Sequence, residues 1–230
     1  MMFQDPLIIF DCDGVLIDSE AIYLDEEFKF LGARDIHVDK AWYVREFMAL
    51  ANAKWRAKFS DLIAEHTGSP LADVEYDAMK KSVRARISSE VQTIAGVEDM
   101  LGALRVNSCV ASSTAMHFLP GKLQRTGLAD HFGEGVYSGD MVANGKPAPD
   151  LFLHAASEMG GSVANAIVVE DSANGVKAGK SANMFTIGFT GGSHCFDGHD
   201  ATLMEAGADL VLPSHKDLAE WLRDNSNAIA

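Results

Sequence analysis

The chain has 230 residues, 47% hydrophobic and 23% charged, with 19 Lys and Arg against 33 Asp and Glu and a net charge of −14. That length accommodates one α/β core with a small insert and excludes two large independent domains. The acidic balance excludes an extended nucleic-acid or anionic-membrane surface, because such surfaces need clustered Lys and Arg.

Cys12, Cys109 and Cys195 are too few and too scattered for a disulfide framework or a thiolate cluster, so reduced thiols are expected, two of them buried in strands. Neither a basic-then-apolar leader nor an apolar run of transmembrane length is visible, and a cytoplasmic protein is expected. Leu7-Ile8-Ile9-Phe10 reads as a buried strand running straight into Asp11-Cys12-Asp13-Gly14-Val15. Two carboxylates are costly to desolvate there unless chemistry uses them, which argues against a simple acidic surface turn.

Helical spacing comes next. Leu24, Phe28 and Leu31 predict a helix over 18–31, and further helices are expected over 39–66 and 73–91, broken near Thr67-Gly68-Ser69-Pro70. Trp42, Phe47, Trp55 and Phe59 are expected to pack these helices together rather than to stack bases. The helical block returns to the core near Gly96. From there strands are expected over 106–111, near Gly135-Val136-Tyr137, and over 166–169, 184–187 and 210–212. The intervening helices are expected over 115–125, after Pro149, over 172–181 and over 215–222, with Phe152, Ala155, Ala156 and Met159 on one face of the second. This alternation predicts an α/β fold, an open sheet covered on both faces, with its site at the carboxyl ends of the strands.

Polar residues gather at those ends. Ala166-Ile167-Val168-Val169 runs into Glu170-Asp171-Ser172, which alone also reads as a helix start. Four acidic residues so placed, Asp11, Asp13, Glu170 and Asp171, suggest a Mg²⁺ site. Ser112-Ser113-Thr114 suits phosphate oxygens or, alone, a helix cap. Lys146, in Asn144-Gly145-Lys146-Pro147-Ala148-Pro149-Asp150, alone reads as a solvated turn lysine. This segment is not a phosphate-binding P-loop, since Gly139 is one residue too far away and Pro147 stands where Ser or Thr is required. His194, Asp197, His199 and Asp200 lack standard zinc spacing and are expected in a solvated loop.

In their joint order, Asp11-Cys12-Asp13-Gly14-Val15, the Ser112 region, Lys146-Pro147 and Glu170-Asp171 resemble the motifs of the haloacid dehalogenase superfamily. The similarity is to the phosphatase and phosphomutase branch, with a helical cap inserted after the first motif. It implies a Rossmann-like parallel-sheet core over 1–16 and 95–230 and a small helical cap over 17–94. Asp11 is then the nucleophile that accepts a phosphoryl group, Asp13 a general acid and later a base, and Lys146 the cation that neutralises Asp11 and the phosphate. Asp11, Asp171 and the backbone carbonyl of Asp13 are implied at Mg²⁺, with Glu170 as their outer partner. Gly14, Ser112, Ser113, Lys146, Glu20 and Asn174 are expected at the phosphate or substrate, and Glu20, Arg45, Lys54 and Arg56 are candidates for selecting it.

Within the superfamily, the retained Asp13 favours phosphoryl transfer over dehalogenation. A phosphonoacetaldehyde hydrolase needs a Schiff-base lysine in the cap, for which Lys29, Lys40, Lys54 and Lys58 are candidates. β-Phosphoglucomutase has a Thr and a His where this chain has Asp18-Ser19-Glu20 and Tyr23, and its Gly-x-Ser-Arg cap sequence is absent from 43–53. The resemblance therefore implies Mg²⁺-dependent hydrolysis of a small-metabolite phosphate monoester, a sugar or sugar-acid phosphate such as 6-phosphogluconate. Mutase-type transfer and a non-catalytic phosphometabolite-binding protein are the alternatives. The expected partner is a small phosphorylated metabolite, with no nucleic acid and no membrane, and the oligomeric state stays open between monomer and weak dimer.

Overall fold

A computed structural model describes residues 2–47, 50 and 52–229. Six strands form one parallel sheet: β1 (Leu7–Phe10), β2 (Ser108–Ser112), β3 (Val136–Ser138), β4 (Ala166–Glu170), β5 (Phe185–Phe189) and β6 (Leu210–Leu212), in the spatial order β3-β2-β1-β4-β5-β6. Every neighbouring pair is parallel, with Ile9 registered on Cys109 to one side and on Val168 to the other. The central strands are buried from end to end, which is why they read as unbroken apolar runs. Side chains alternate between the faces: Ile8 and Phe10 enter one core layer, Leu7 and Ile9 the other. This order reverses direction between β1 and β4, so a crevice opens at their carboxyl ends, where Asp11 and Glu170 fall.

Helices cover both faces. α8 (Asp150–Glu158) and α9 (Ala173–Ser181) pack Leu151, Phe152, Ala155, Ala156 and Ala178 on one side. On the other lie α5 (Val97–Ala103), α6 (Leu119–Arg125) and α11 (His215–Asn225), through Val97, Met100, Leu119, Leu123, Leu218 and Leu222. α5, α7 (Ala129–Phe132) and α10 (His199–Glu205) are short helices for which the sequence supplies less than two full apolar turns. α6 begins at Leu119 rather than at 115, with Pro120 in its first turn, where a missing N–H costs nothing. Met159 lies just past the end of α8 and packs, partly buried, against the same layer as Phe152. Cys109 is buried in β2, whereas Cys12 is buried in the loop after β1 rather than in a strand.

Between β1 and α5 the chain is helical: α1 (Ser19–Gly32), α2 (Lys40–Phe47), α3 (Asn52–Thr67) and α4 (Asp73–Glu90). The helix expected over 39–66 is thus two helices, and Met48, Ala49 and Ala51 lie outside the described residues. This region has its own core, in which Trp55 stacks on Phe59 at 4.6 Å and Tyr43 on Phe47 at 4.3 Å. Trp42 is an exception to the expected packing: it is 36% exposed, with only its edge against Phe47. Among the described residues no helix is long and apolar enough to cross a membrane.

The helical core also buries an acid. Glu27 is 5% exposed and accepts a hydrogen bond from the Tyr43 hydroxyl at 2.9 Å. Burial pushes its carboxyl up from 4.5 to about 8, opposed by the Tyr43 bond and reinforced by Glu20. A carboxyl raised on folding contributes stability that is fully present below its unfolded value and lost as pH rises through the folded one. Urea unfolding of the wild type is therefore expected to lose a few kcal/mol between pH about 4.5 and about 8 through this group, while Glu27→Gln removes that share of the slope.

Candidate active site

β1 ends at Phe10, and the next peptide is held by the Asp11 N–H donating to the Val169 carbonyl at 2.9 Å. That bond carries Asp11 over the edge of the sheet beside Glu170, the last residue of β4. Both acids face Lys146, which reaches in from the loop between β3 and α8. The Lys146 ammonium donates to Asp11 Oδ1 at 2.5 Å, to Glu170 Oε1 at 2.7 Å and to the Ala111 carbonyl at 2.8 Å. All three of its protons are used, in a pocket that leaves its side chain 5% exposed.

Glu170 is fully engaged. Its second oxygen accepts from the backbone N–H and the hydroxyl of Ser172, both at 2.9 Å. The Ser172 hydroxyl also caps α9 by accepting from Gly175 N–H. A Cβ at Gly175 would stand 1.8 Å from the Glu170 carboxylate, so only glycine lets that acid lie across the first turn of α9.

Asp13 has a second lysine. Oδ1 accepts from Lys122 Nζ at 2.6 Å and from the Ser19 hydroxyl; Oδ2 accepts from Thr114 Oγ1 at 2.6 Å. Lys122 also donates to Thr114 Oγ1 at 3.0 Å. Asp171 Oδ2 pairs with His194 Nε2 at 2.9 Å, and both side chains are more than nine-tenths buried. Ser112, at the end of β2, is buried and its hydroxyl accepts from Thr114 N–H at 3.0 Å.

These groups line a cavity of about 880 Å³. Asp11, Asp13, Ser112, Ser113, Lys146, Glu170, Asp171 and Asn174 all contribute to its wall, with Ser113 exposed and Ser112 buried behind it. Glu20, Tyr23, Val44, Arg45 and Leu50 close it from the helical side. Gly14 sits beneath, at φ +84°, where a Cβ would stand 1.9 Å from Asp171 Oδ2. A left-handed turn and the absence of a side chain are both required for Asp171 to come down beside Asp11. The oxygen donors gathered there, Asp11 and Asp171 above the Gly14 cradle, are of the kind a small hard divalent cation takes.

Charge and burial set the protonation states. Burial pushes the Asp11 carboxyl well above its usual range; Lys146 opposes this, and Glu170, Asp171 and Asp13 add to it. Burial has the same tendency at Asp13, but Lys122 and the hydroxyls of Ser19 and Thr114 hold that carboxyl below its ordinary value. Lys146 and Lys122 are both raised, because their acidic partners outweigh desolvation. Desolvation would lower His194, but Asp171 and Cys195 raise it to about 11. Glu20, pushed up by burial, stands at about 7, with His194 opposing the rise.

Several sequence expectations change. Arg45 lines the cavity wall, 5.8 Å from the Phe196 ring, whereas Lys54 and Arg56 do not line it: Lys54 is exposed, and Arg56 pairs with Asp73 and lies over Tyr76 at 4.4 Å. Lys29, Lys40, Lys54 and Lys58 are also absent from the wall; Lys29 pairs with Asp25 at 2.7 Å and Lys58 with Glu46. The histidine loop is not solvated: His194 and His199 are 4% and 9% exposed, although Asp197 and Asp200 are exposed. Sequence reasoning missed Lys122, and it did not foresee the pairing of Thr114 with Asp13 or of His194 with Asp171. The signal for Lys122 was available, since it interrupts the buried face of α6 between Leu119 and Leu123.

Residues 6–183 match the haloacid dehalogenase-like hydrolase family, and the chain belongs to it. The chemistry of this class is phosphatase or phosphotransferase action on small phosphorylated compounds. The 6-phosphogluconate phosphatase of Escherichia coli strain K12 is 28% identical over 204 residues, covering 88% of each chain. Among solved structures, a conserved haloacid dehalogenase-like protein of unknown function from Agrobacterium tumefaciens strain C58 superposes with a TM-score of 0.86 at 34% identity, covering 95% of this chain and 98% of that one. A family hydrolase from Deinococcus radiodurans R1, solved with bound phosphate and sodium, gives 0.84 at 29% identity, with 98% and 97% covered.

Replacing Lys146 leaves Asp11 and Glu170 facing each other in a dry pocket. Lys146→Met is expected to lower the stability measured by urea unfolding at pH 7 by about 3–5 kcal/mol, the usual effect of removing one partner from a buried charge group.

Proposed function

We propose that this protein hydrolyses a small phosphate monoester, of the sugar or sugar-acid phosphate class, through an aspartyl-phosphate on Asp11 with Mg²⁺ as cofactor. The observation that carries the reading is the buried Asp11–Lys146 contact at 2.5 Å, at the base of a cavity walled by the helical region. Residues 17–94 act as a cap over a core formed by 1–16 and 95–230.

Asp11, Asp171 and the backbone carbonyl of Asp13 would hold the Mg²⁺, and Glu170 would support them through Lys146. When bound, the ion offsets the repulsion between Asp11 and the incoming phosphate and the charge carried by the transferring group. Lys146 holds Asp11 in one orientation and keeps a positive charge beside the phosphate oxygens, and Ser112 and Ser113 offer hydroxyls to the same oxygens. Asp11 attacks phosphorus, and the bond to the leaving oxygen breaks as Asp13 supplies its proton. Asp13, then a carboxylate, takes a proton from water as the water attacks the phosphoryl-aspartate, which frees Asp11 and inorganic phosphate.

In the structure described, Lys122, Ser19 and Thr114 stabilise Asp13 as a carboxylate, the form needed for the second half of the cycle. Its first role requires it to take up a proton when substrate arrives. Lys122 is thus a positioning and pKa-setting residue rather than a group that touches phosphorus.

Water is favoured as acceptor because the chain lacks the mutase residues at 18–23 and 43–53. The relative whose name specifies 6-phosphogluconate supports a sugar acid as substrate. Glu20 and Arg45 face the substrate from the cap, and Asn174 from the core. The size of the cavity, about 880 Å³, favours small metabolites over folded phosphoproteins.

The test is phosphate release from a panel of sugar, polyol and sugar-acid phosphates with Mg²⁺, with the sugar products analysed for isomers. Stoichiometric release, reduced by about 10³-fold or more in Asp11→Asn while circular dichroism is unchanged, is the expected result. Isomerisation without release contradicts hydrolysis, and full turnover by Asp11→Asn contradicts the nucleophile. Lys122→Met removes the cation that lowers Asp13, so the pH–rate limb set by Asp13 is expected to move to higher pH; an unmoved limb contradicts the coupling.

A further inference from the structure

We propose that His194, Cys195 and His199 form a second metal site, built from one thiolate and two imidazoles and suited to Zn²⁺, beside the acidic cluster and chemically distinct from it. One ligand atom from each of the three residues lies within 4.8 Å of the other two. Cys195 Sγ is 3.7 Å from His194 Nε2. A tetrahedral zinc ion with bonds of about 2.3 Å to sulfur and about 2.05 Å to nitrogen sets those atoms about 3.6 Å apart. That edge already has the required length, and the third residue needs to close by no more than about 1.5 Å.

His199 supplies the strongest argument. Its Nε2 lies 2.7 Å from the Asp171 carbonyl, which can only accept, so Nε2 carries the proton. In the neutral ring Nδ1 then holds a lone pair, and this atom is buried with no hydrogen-bond partner. A histidine that donates one N–H to a backbone carbonyl and leaves the other nitrogen free is the arrangement metal-binding histidines use. His199 is also the first residue of α10, so its backbone is fixed by the helix.

Cys195 is only partly buried and its sulfur faces the His194 ring, and thiolate sulfur is a ligand that zinc takes. Sulfur and imidazole select zinc-like ions and reject Mg²⁺, which demands oxygen, so the two sites do not compete for the same cation. His194 and His199 both line the large cavity, which gives the ion a route from solvent.

Coordination forms one metal–sulfur and two metal–nitrogen bonds, and the thiol and imidazolium protons leave to solvent. His194 Nε2 currently faces Asp171 Oδ2 at 2.9 Å, so filling the site exchanges that ion pair for a metal–nitrogen bond. The fourth position falls to water. The sequence pattern His-Cys-x-x-x-His carries this signal at 194–199, with Cys195 in the place that Asp197 and Asp200 seemed to offer.

The full chain, reduced and kept in excess Mg²⁺, is titrated with Co²⁺ and followed by absorption. The expected result is a near-ultraviolet thiolate-to-cobalt charge-transfer band that saturates at one ion per chain and is displaced by Zn²⁺. Cys195→Ser abolishes the band, His199→Gln weakens binding by about tenfold or more, and Asp11→Asn leaves it intact. Circular dichroism of each variant establishes that the fold is retained. Absence of the band in the wild type, or its survival in Cys195→Ser, overturns the site. A spectrum showing oxygen ligands alone does the same.

Discussion

The buried Lys146 ammonium, shared between Asp11 and Glu170, is the contact on which the rest of the site depends. Four carboxylates converge at the ends of β1 and β4, and such a group repels itself in a low dielectric. Lys146 divides one pair and Lys122 holds Asp13 away from the others. His194 takes one oxygen of Asp171. Three cations therefore serve four acids, Lys146 being shared, and the two halves of the site respond separately: Asp11 is raised and Asp13 lowered although only Cys12 stands between them. The carboxylate form that the proposed attack by Asp11 needs would have to be favoured by the proposed Mg²⁺, and the proton that Asp13 is proposed to give would have to arrive with substrate.

The sheet supplies the backbone for that division. β1 and β4 are buried from end to end; Asp11 follows β1 directly and Glu170 is the last residue of β4. Gly14 and Gly175 let the acids approach where a methyl group would collide with Asp171 or Glu170. From the other side, α1 brings Ser19 to Asp13 and Glu20 to the cavity, so the helical region touches Asp13 as well as the cavity wall. A smaller cavity of about 210 Å³ shares Glu20, Tyr23 and Leu50 with the main one and continues into the aromatic core of the helices. Movement of α1 would therefore alter cavity shape and the hydrogen bonding of Asp13 together.

Local patterns made much of this legible in the sequence. The apolar run before Asp11, the run before Glu170 and the spacing of Phe152, Ala155 and Ala156 identify strands and helices from short-range order alone. Lys122 was not legible in the same way, because its partner lies 109 residues away and the pairing exists only once α6 packs beside β1. The loop after β5 was misread for a related reason. Its histidines are polar by composition, yet the Asp171 carboxylate and carbonyl bury them by bonding to both rings. Arg56 and Lys58 illustrate the reverse: basic residues of the helical region can read as substrate or Schiff-base contacts, but Arg56 on α3 pairs with Asp73 on α4, and Lys58 on α3 with Glu46 on α2.

The measurement that tests the central claim most directly is capture of the covalent intermediate. The enzyme is mixed with a turnover substrate, quenched in acid within milliseconds to seconds, digested, and sequenced by mass spectrometry. The account predicts one added phosphoryl group on the peptide containing Asp11, on Asp11 itself and sensitive to hydroxylamine. A phosphoryl group on any other residue, or none under conditions where a burst of product shows the first step to be complete, would contradict it.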